Sequence, residues 1–123
     1  MAGELYFESK AHDYRAVTLT KALNQPWAMA FLPDGEGILI TEKSGRVRQY
    51  KEGSKLRTIK GGPNSVEFGQ GGLLDIALHP DFIRNQLTYF TYVARAGIGF
   101  GTELARARFT GRAFEDLEVL FKA

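Results

Sequence analysis

Cysteine is absent from this 123-residue sequence. Its absence excludes a disulfide framework and any thiolate metal site, and leaves the compartment open. Long apolar runs are missing too. The longest, Trp27 to Leu32, spans six residues, far short of the roughly 20 that a membrane-crossing helix needs, so no membrane partner is expected. No charged-then-apolar leader opens the chain and no signal peptide is visible; the stretch "MAGELYFESKAHDY" (1–14) reads as a tail. An excess of one charge is also lacking. Sixteen basic against fourteen acidic residues leave a formal +2, too little to argue for a nucleic-acid partner. The basic side chains are interleaved, with Arg46, Arg48 and Lys51, then Arg106 and Arg108, alternating with other types as on solvated strand faces. Histidine is scarce, with only His12 and His79, so a histidine-based metal or catalytic centre would have to draw on that pair.

What is present is an ordinary globular composition, 44% hydrophobic and 24% charged, arranged with a period of two. Short segments bounded by Gly, Pro, Asn, Asp or Ser follow one another: 15–23, 27–33, 37–43, 46–51, 55–61, 72–80, 86–94, 103–111 and 115–123. Glu, Leu, Ala and Arg give the last two some helical propensity, but their alternation favours strands. "PWAMAFLPDG" (26–35) and "GLLDIALHPDF" (72–82) share a template of apolar strand followed by Pro-Asp, and Pro33 and Pro80 are 47 positions apart. A repeat of about 40–50 residues built from four short strands is the signature of a propeller blade. The expected fold class is therefore all-β, with about two four-stranded blades of a β-propeller. The expected organisation is a tail (1–14), a leading strand (15–23), one blade over 26–61 and another over 72–123. The apolar runs predict that the first strand of each blade is buried on both faces. Two blades would leave apolar faces open at both ends, so self-association or membership of a larger ring is expected.

"LNQPWAMAFLPDG", "ILITEKSGRVRQY", "GQGGLLDIALHPDF" and "TYFTYV" occur in that order, followed by "ELARARF" and "FEDLEVLFKA". Together they resemble the opening part of the soluble aldose sugar dehydrogenases that depend on pyrroloquinoline quinone (PQQ), a family that includes soluble glucose dehydrogenases and forms six-bladed propellers. The likeness runs from about His12 to Ala123. The Gly-Gln-Gly-Gly-Leu-Leu-Asp and His-Pro-Asp-Phe block is its most specific part, with the Trp27 and Thr41-Glu42 blocks in support.

The resemblance implies oxidation of an aldose at its anomeric carbon to a lactone. A histidine takes the hydroxyl proton, calcium polarises the quinone and arginines clamp the cofactor's carboxylates. It implies PQQ and calcium as cofactors of the complete enzyme, an aldose as partner, and a periplasmic or secreted location. It also assigns Gln70 as a cofactor-binding residue at the rim of the central cavity, where an amide can donate and accept at once while the flanking glycines permit a close approach to the ligand. The family's base, its arginine and lysine clamp and its calcium ligands come from later blades. The chain is thus expected to be an N-terminal fragment, inactive alone and binding neither cofactor, with no catalytic or metal residue of its own. The alternative is a non-catalytic propeller fragment that acts as a self-assembling scaffold or binding module.

Read without the resemblance, Gln70 is a turn amide bonded to its own loop. His79 caps a strand end, and Asp34 and Asp81 form Asx-type turns after their prolines. Asp75 interrupts an apolar strand and needs a hydrogen-bond partner if buried. Glu115, Asp116 and Glu118 form a solvated acidic cluster, and Trp27 is core between blades.

Overall fold

The computed structural model describes residues 4–10 and 12–123. It is all-β apart from one short helical turn. Strands β3 (Pro26–Phe31), β4 (Ile38–Glu42), β5 (Val47–Tyr50) and β6 (Arg57–Ile59) form one antiparallel meander in chain order. A second meander contains β7 (Leu73–Leu78), β8 (Leu87–Ala96), β9 (Gly99–Phe109) and β10 (Phe114–Lys122). Helix α1 (Phe82–Asn85) lies between β7 and β8. Turn chemistry sets the register where it can be checked. In the Pro33–Glu36 turn, Asp34 and Gly35 sit at φ 59° and 72° and the Glu36 N–H reaches the Pro33 carbonyl at 3.2 Å. Two successive positive-φ residues are what a tight hairpin with right-handed strand twist requires. Asp34 therefore works through its backbone rather than as an Asx turn.

The two sheets pack face against face. In the first sheet Ala30 pairs with Leu39, and Thr41 with Val47, which pairs with Ile59. In the second Ile76 pairs with Phe90, which pairs with Ala105. These residues form one buried apolar cluster with Phe109 and Phe114, except Thr41, whose buried hydroxyl is the polar member of the layer. It donates to the Leu74 carbonyl across the sheets at 2.6 Å. Backbone bonds stitch the pair at two margins. At one, the Leu73 N–H reaches the Lys43 carbonyl (3.1 Å); at the other, the Phe114 N–H reaches the Lys60 carbonyl (2.8 Å).

Several expectations need correction. The first strand of each sheet is not buried on both faces. Trp27, Met29 and Phe31 alternate outward at 53%, 59% and 70% exposure, because only one face of that sheet has a partner, so Trp27 is not core here. Asp75 is exposed as well. A register shift between Leu73 and Ile76 turns it out of the core, and its Oδ1 accepts the Ile76 N–H at 2.8 Å. The leading strand is shorter than 15–23: β2 covers Tyr14–Val17 and pairs with β1 (Glu4–Phe7) inside the stretch read as a tail. Residues 1–3 and 11 of that stretch lie outside the described residues. Helix α1 grows from the His-Pro-Asp turn, where His79 Nδ1 accepts the Asp81 N–H at 2.9 Å. The Asp81 carboxylate pairs with Arg84 at 3.0 Å rather than closing an Asx turn.

Candidate functional site

Phe68 and Gly71 face each other as an isolated antiparallel bridge, closed by the Phe68 N–H to Gly71 O bond (3.1 Å) and the Gly71 N–H to Phe68 O bond (2.8 Å). Gly69 and Gln70 are the two central residues. Gly69 adopts φ 58°, the positive value that the first central position of a tight turn gives to glycine. The turn leads straight into β7 and so sits at the end of the sheets where β7 begins. Gln70 is exposed, and its amide has no hydrogen-bond partner among the described residues. It does not bond its own loop.

The two glycines that follow it make room for the protein's own atoms, whereas a Cβ on Gly69 would meet open space. A Cβ on Gly72 would lie 2.3 Å from the Lys43 carbonyl oxygen, and one on Gly71 would lie 2.5 Å from Val93 Cγ2. Gly71 and Gly72 let the loop press close against Val93 and Lys43. Lys43, in the turn between β4 and β5, completes the anchorage. Its Nζ donates to the Gly69 carbonyl at 2.8 Å, so the first sheet holds the turn that carries Gln70.

Behind Lys43 lies a buried charge. Glu42 is fully buried, 0% exposed, and its carboxylate accepts the Asn24 N–H at 2.6 Å. It pairs with Arg46 Nε at 2.7 Å and Arg48 Nη1 at 3.4 Å. A buried carboxylate is tolerated only when so supplied with donors. In the second sheet Tyr92 donates its hydroxyl to Glu103 Oε1 at 2.9 Å. Burial, then the hydrogen bond to Glu103 and its negative charge, push the Tyr92 phenol up to about 12.

The sequence picked out Gln70 but not its holders. Lys43 anchors the turn and, beside it in sequence, Glu42 and the two arginines form a separate charge cluster, and only the alternation of basic residues after a Thr-Glu pair hinted at it. The two histidines are not brought to the turn. His12 is exposed in the loop between β1 and β2, where its N–H donates to Ser9 Oγ at 2.9 Å. His79 lies at the far end of β7, bonded to the Asp81 N–H and 3.0 Å from Asn85 Nδ2. Glu115, Asp116 and Glu118 pair with Arg108 and Arg106 at 2.8–3.3 Å on an exposed face.

The Glucose / Sorbosone dehydrogenase family model matches residues 23–123. This chain belongs to that family. An aldose sugar dehydrogenase of Escherichia coli is 38% identical over 100 residues, covering 80% of this chain and 26% of that protein. The quinoprotein glucose dehydrogenase B of Acinetobacter calcoaceticus is 29% identical over 89 residues, covering 70% of this chain and 19% of that protein. The chain thus spans less than a third of the length of the curated relatives it matches. The crystal structure of the soluble E. coli aldose sugar dehydrogenase in its apo-form superposes with a TM-score of 0.82 at 30% identity, over 99% of this chain and 33% of that one. The PQQ-bound aldose sugar dehydrogenase of Streptomyces coelicolor superposes with a TM-score of 0.76 at 18% identity, covering all of this chain, a likeness of fold alone. The resemblance to sugar dehydrogenases therefore holds, and the residue block that carries it includes the Gln70 turn.

A quinone bearing several carboxylates, with a bound calcium, needs converging cations and a shell of about six to eight oxygens. Of the cations near the turn, Lys43 is engaged with a carbonyl and Arg46 and Arg48 with Glu42, while Arg95 lies over the Phe100 ring and pairs with no carboxylate among the described residues. Among the described residues no three His, Cys, Asp or Glu side chains converge. These residues do not by themselves fit a complete PQQ–calcium pocket.

Proposed function

We propose that this chain forms part of a PQQ-dependent aldose sugar dehydrogenase, a six-bladed propeller in which the two sheets are successive blades over 26–61 and 72–123. The reaction of the whole protein is the two-electron oxidation of an aldose at its anomeric carbon to a lactone, with PQQ and calcium as cofactors. The contribution of this chain is Gln70. Held on a turn anchored from both sheets, its unpaired amide is placed to accept from one hydroxyl of the sugar and donate to another oxygen. The observation that carries this reading is the coincidence of the family's most specific block with an exposed, unpartnered amide whose turn is fixed by Lys43. Alone the chain is not expected to turn over sugar, since it spans about a quarter of its E. coli relative.

The test is a graft in which this chain replaces the matching region of the E. coli aldose sugar dehydrogenase. Glucose-dependent dye reduction that requires PQQ is expected to survive, and Gln70→Ala is expected to lower kcat/KM by about tenfold or more, the loss of one hydrogen bond to a polar substrate. A folded graft in which Gln70→Ala changes nothing overturns the assignment.

A further inference from the structure

Helix α1 receives no side-chain cap from Asp81, and both of its ends are tied instead to one imidazole nitrogen. His79 Nδ1 accepts the Asp81 N–H at 2.9 Å at the start of the helix. The same atom lies 3.0 Å from Nδ2 of Asn85, the last helical residue. The Asn85 amide is fixed in orientation, because its Oδ1 accepts the Leu87 N–H at 3.0 Å. Its NH2 group therefore points at His79. Two N–H donors on one ring nitrogen require that nitrogen to be bare, so the ring proton sits on Nε2.

We propose that His79 is an acid-released latch on α1. A proton on Nδ1 turns the shared acceptor into a third donor and leaves the Asp81 N–H and the Asn85 NH2 facing an N–H. Imidazole is the side chain whose charge ordinarily changes between about pH 5 and 8, so the latch is closed in neutral solution and opens in acid. The ionisable groups around the ring offer the new charge no free partner. The Asp81 carboxylate is already held by Arg84 of α1 at 3.0 Å. From β8 the Tyr89 ring stacks on His79 with centroids 6.2 Å apart. Its hydroxyl meets Arg106 of β9, which pairs with Glu118 of β10 at 3.0 Å. The backbone bond from the His79 N–H to the Leu87 carbonyl (2.9 Å) is indifferent to the ring, so the strand end stays in place while the helix loosens. What the latch secures is the seam between the sheets. Phe82 of α1 belongs to the shared buried cluster, and beside it a groove of about 200 Å³ runs between α1 and the Pro33–Glu36 turn over Leu32 and Phe109. Release of α1 frees Phe82 and widens this groove, at the end of β7 away from Gln70. The latch does not depend on the sugar reading of Gln70.

NMR of the whole 123-residue chain, labelled with nitrogen-15 and followed from about pH 8 to about pH 5, tests this. At the upper end His79 is expected as the Nε2–H tautomer with a bare Nδ1. On acidification the His79 ring, the Asp81 amide and the Asn85 side-chain amide are expected to change in one shared transition. Hydrogen exchange at the Gln86 amide, which closes α1 on the Phe82 carbonyl, is expected to quicken about five- to tenfold beyond the intrinsic effect of pH, as one or two hydrogen bonds are lost. His79→Asn keeps a short acceptor and does not titrate, so its exchange, corrected in the same way, is expected to stay constant over this range. His79→Leu removes the acceptor and is expected to show the faster exchange at every pH. An Nδ1–H tautomer at about pH 8 overturns the latch, and this is read on the parent chain whether or not a variant folds. Exchange in α1 that ignores protonation of the ring overturns it as well.

Discussion

Glu42 is the fully buried acid at the end of β4. Its fully buried carboxylate neutralises Arg48, whose side chain is only 12% exposed, and accepts the Asn24 N–H. Glu42→Ala leaves a buried guanidinium without its counter-charge, for which a loss of about 3–5 kcal/mol is expected. Glu42→Gln, which keeps the shape and an acceptor, is expected to cost less. Urea denaturation reads both, and equal stability of Glu42→Ala and the parent chain would contradict the account. Tyr92 gives a second residue-scale prediction. Its folded value of about 12 stands above the unfolded 10.0, so the protonated form is favoured by folding. That contribution is complete below the unfolded value and fades as the pH rises toward 12. Stability is expected to fall more steeply above pH 10 in the parent than in Tyr92→Phe, as followed by denaturant midpoints across that range. Of these residues, the sequence showed Gln70 and the Thr41-Glu42 pair as parts of a family pattern. It did not show why they matter. The partners of Glu42 are a backbone N–H and two arginines brought together only by hairpin closure, and Asp75 reads as buried until the bulge after Leu73 turns it outward.

Strands were the legible elements, because alternation survives in any half-buried sheet. The segments 103–111 and 115–123, ambiguous on propensity, are strands since their partners Ala105 and Val119 fall in register across β9 and β10. Helix α1 was not legible. Four residues carry no periodicity, and the turn exists because His79 and Asn85 supply local bonds. Nor could an apolar run reveal whether both of its faces are covered, which is why β3 reads as interior and emerges half exposed. The loop before β7 shows how one glycine joins two elements. At Gly72 any side chain would begin 2.3 Å from a backbone oxygen that cannot retreat without moving β4. Gly72→Ala is therefore expected to cost about 1–3 kcal/mol as overpacking and to loosen the Leu73 N–H bond to Lys43. Hydrogen exchange at the Leu73 amide should rise with the substitution, and unchanged protection would show that the sheets do not rely on this close approach.

At the scale of the molecule, one side of the first sheet presents Trp27, Met29 and Phe31 to water. Contiguous exposed apolar surface of this kind drives association. The isolated chain is expected to elute in size-exclusion chromatography well above its 13.7 kDa mass, and Met29→Asp, in the middle of the face, is expected to return it toward the monomer. A parent chain that stays monomeric at high concentration would show that this face does not self-associate.

The two margins at which the sheets are stitched have a mechanical consequence. With Leu73 bonded to Lys43 on one side and Phe114 to Lys60 on the other, sliding or twisting of one sheet on its neighbour breaks a backbone bond, and opening about the line that joins the two would pull apart the shared buried cluster and the Thr41–Leu74 bond. The pair must travel as a single plate. If a sugar is admitted by any loosening of a ring of such sheets, the hinge lies at the outer flanks of this plate, where Trp27 and its neighbours face the solvent, and never along its midline.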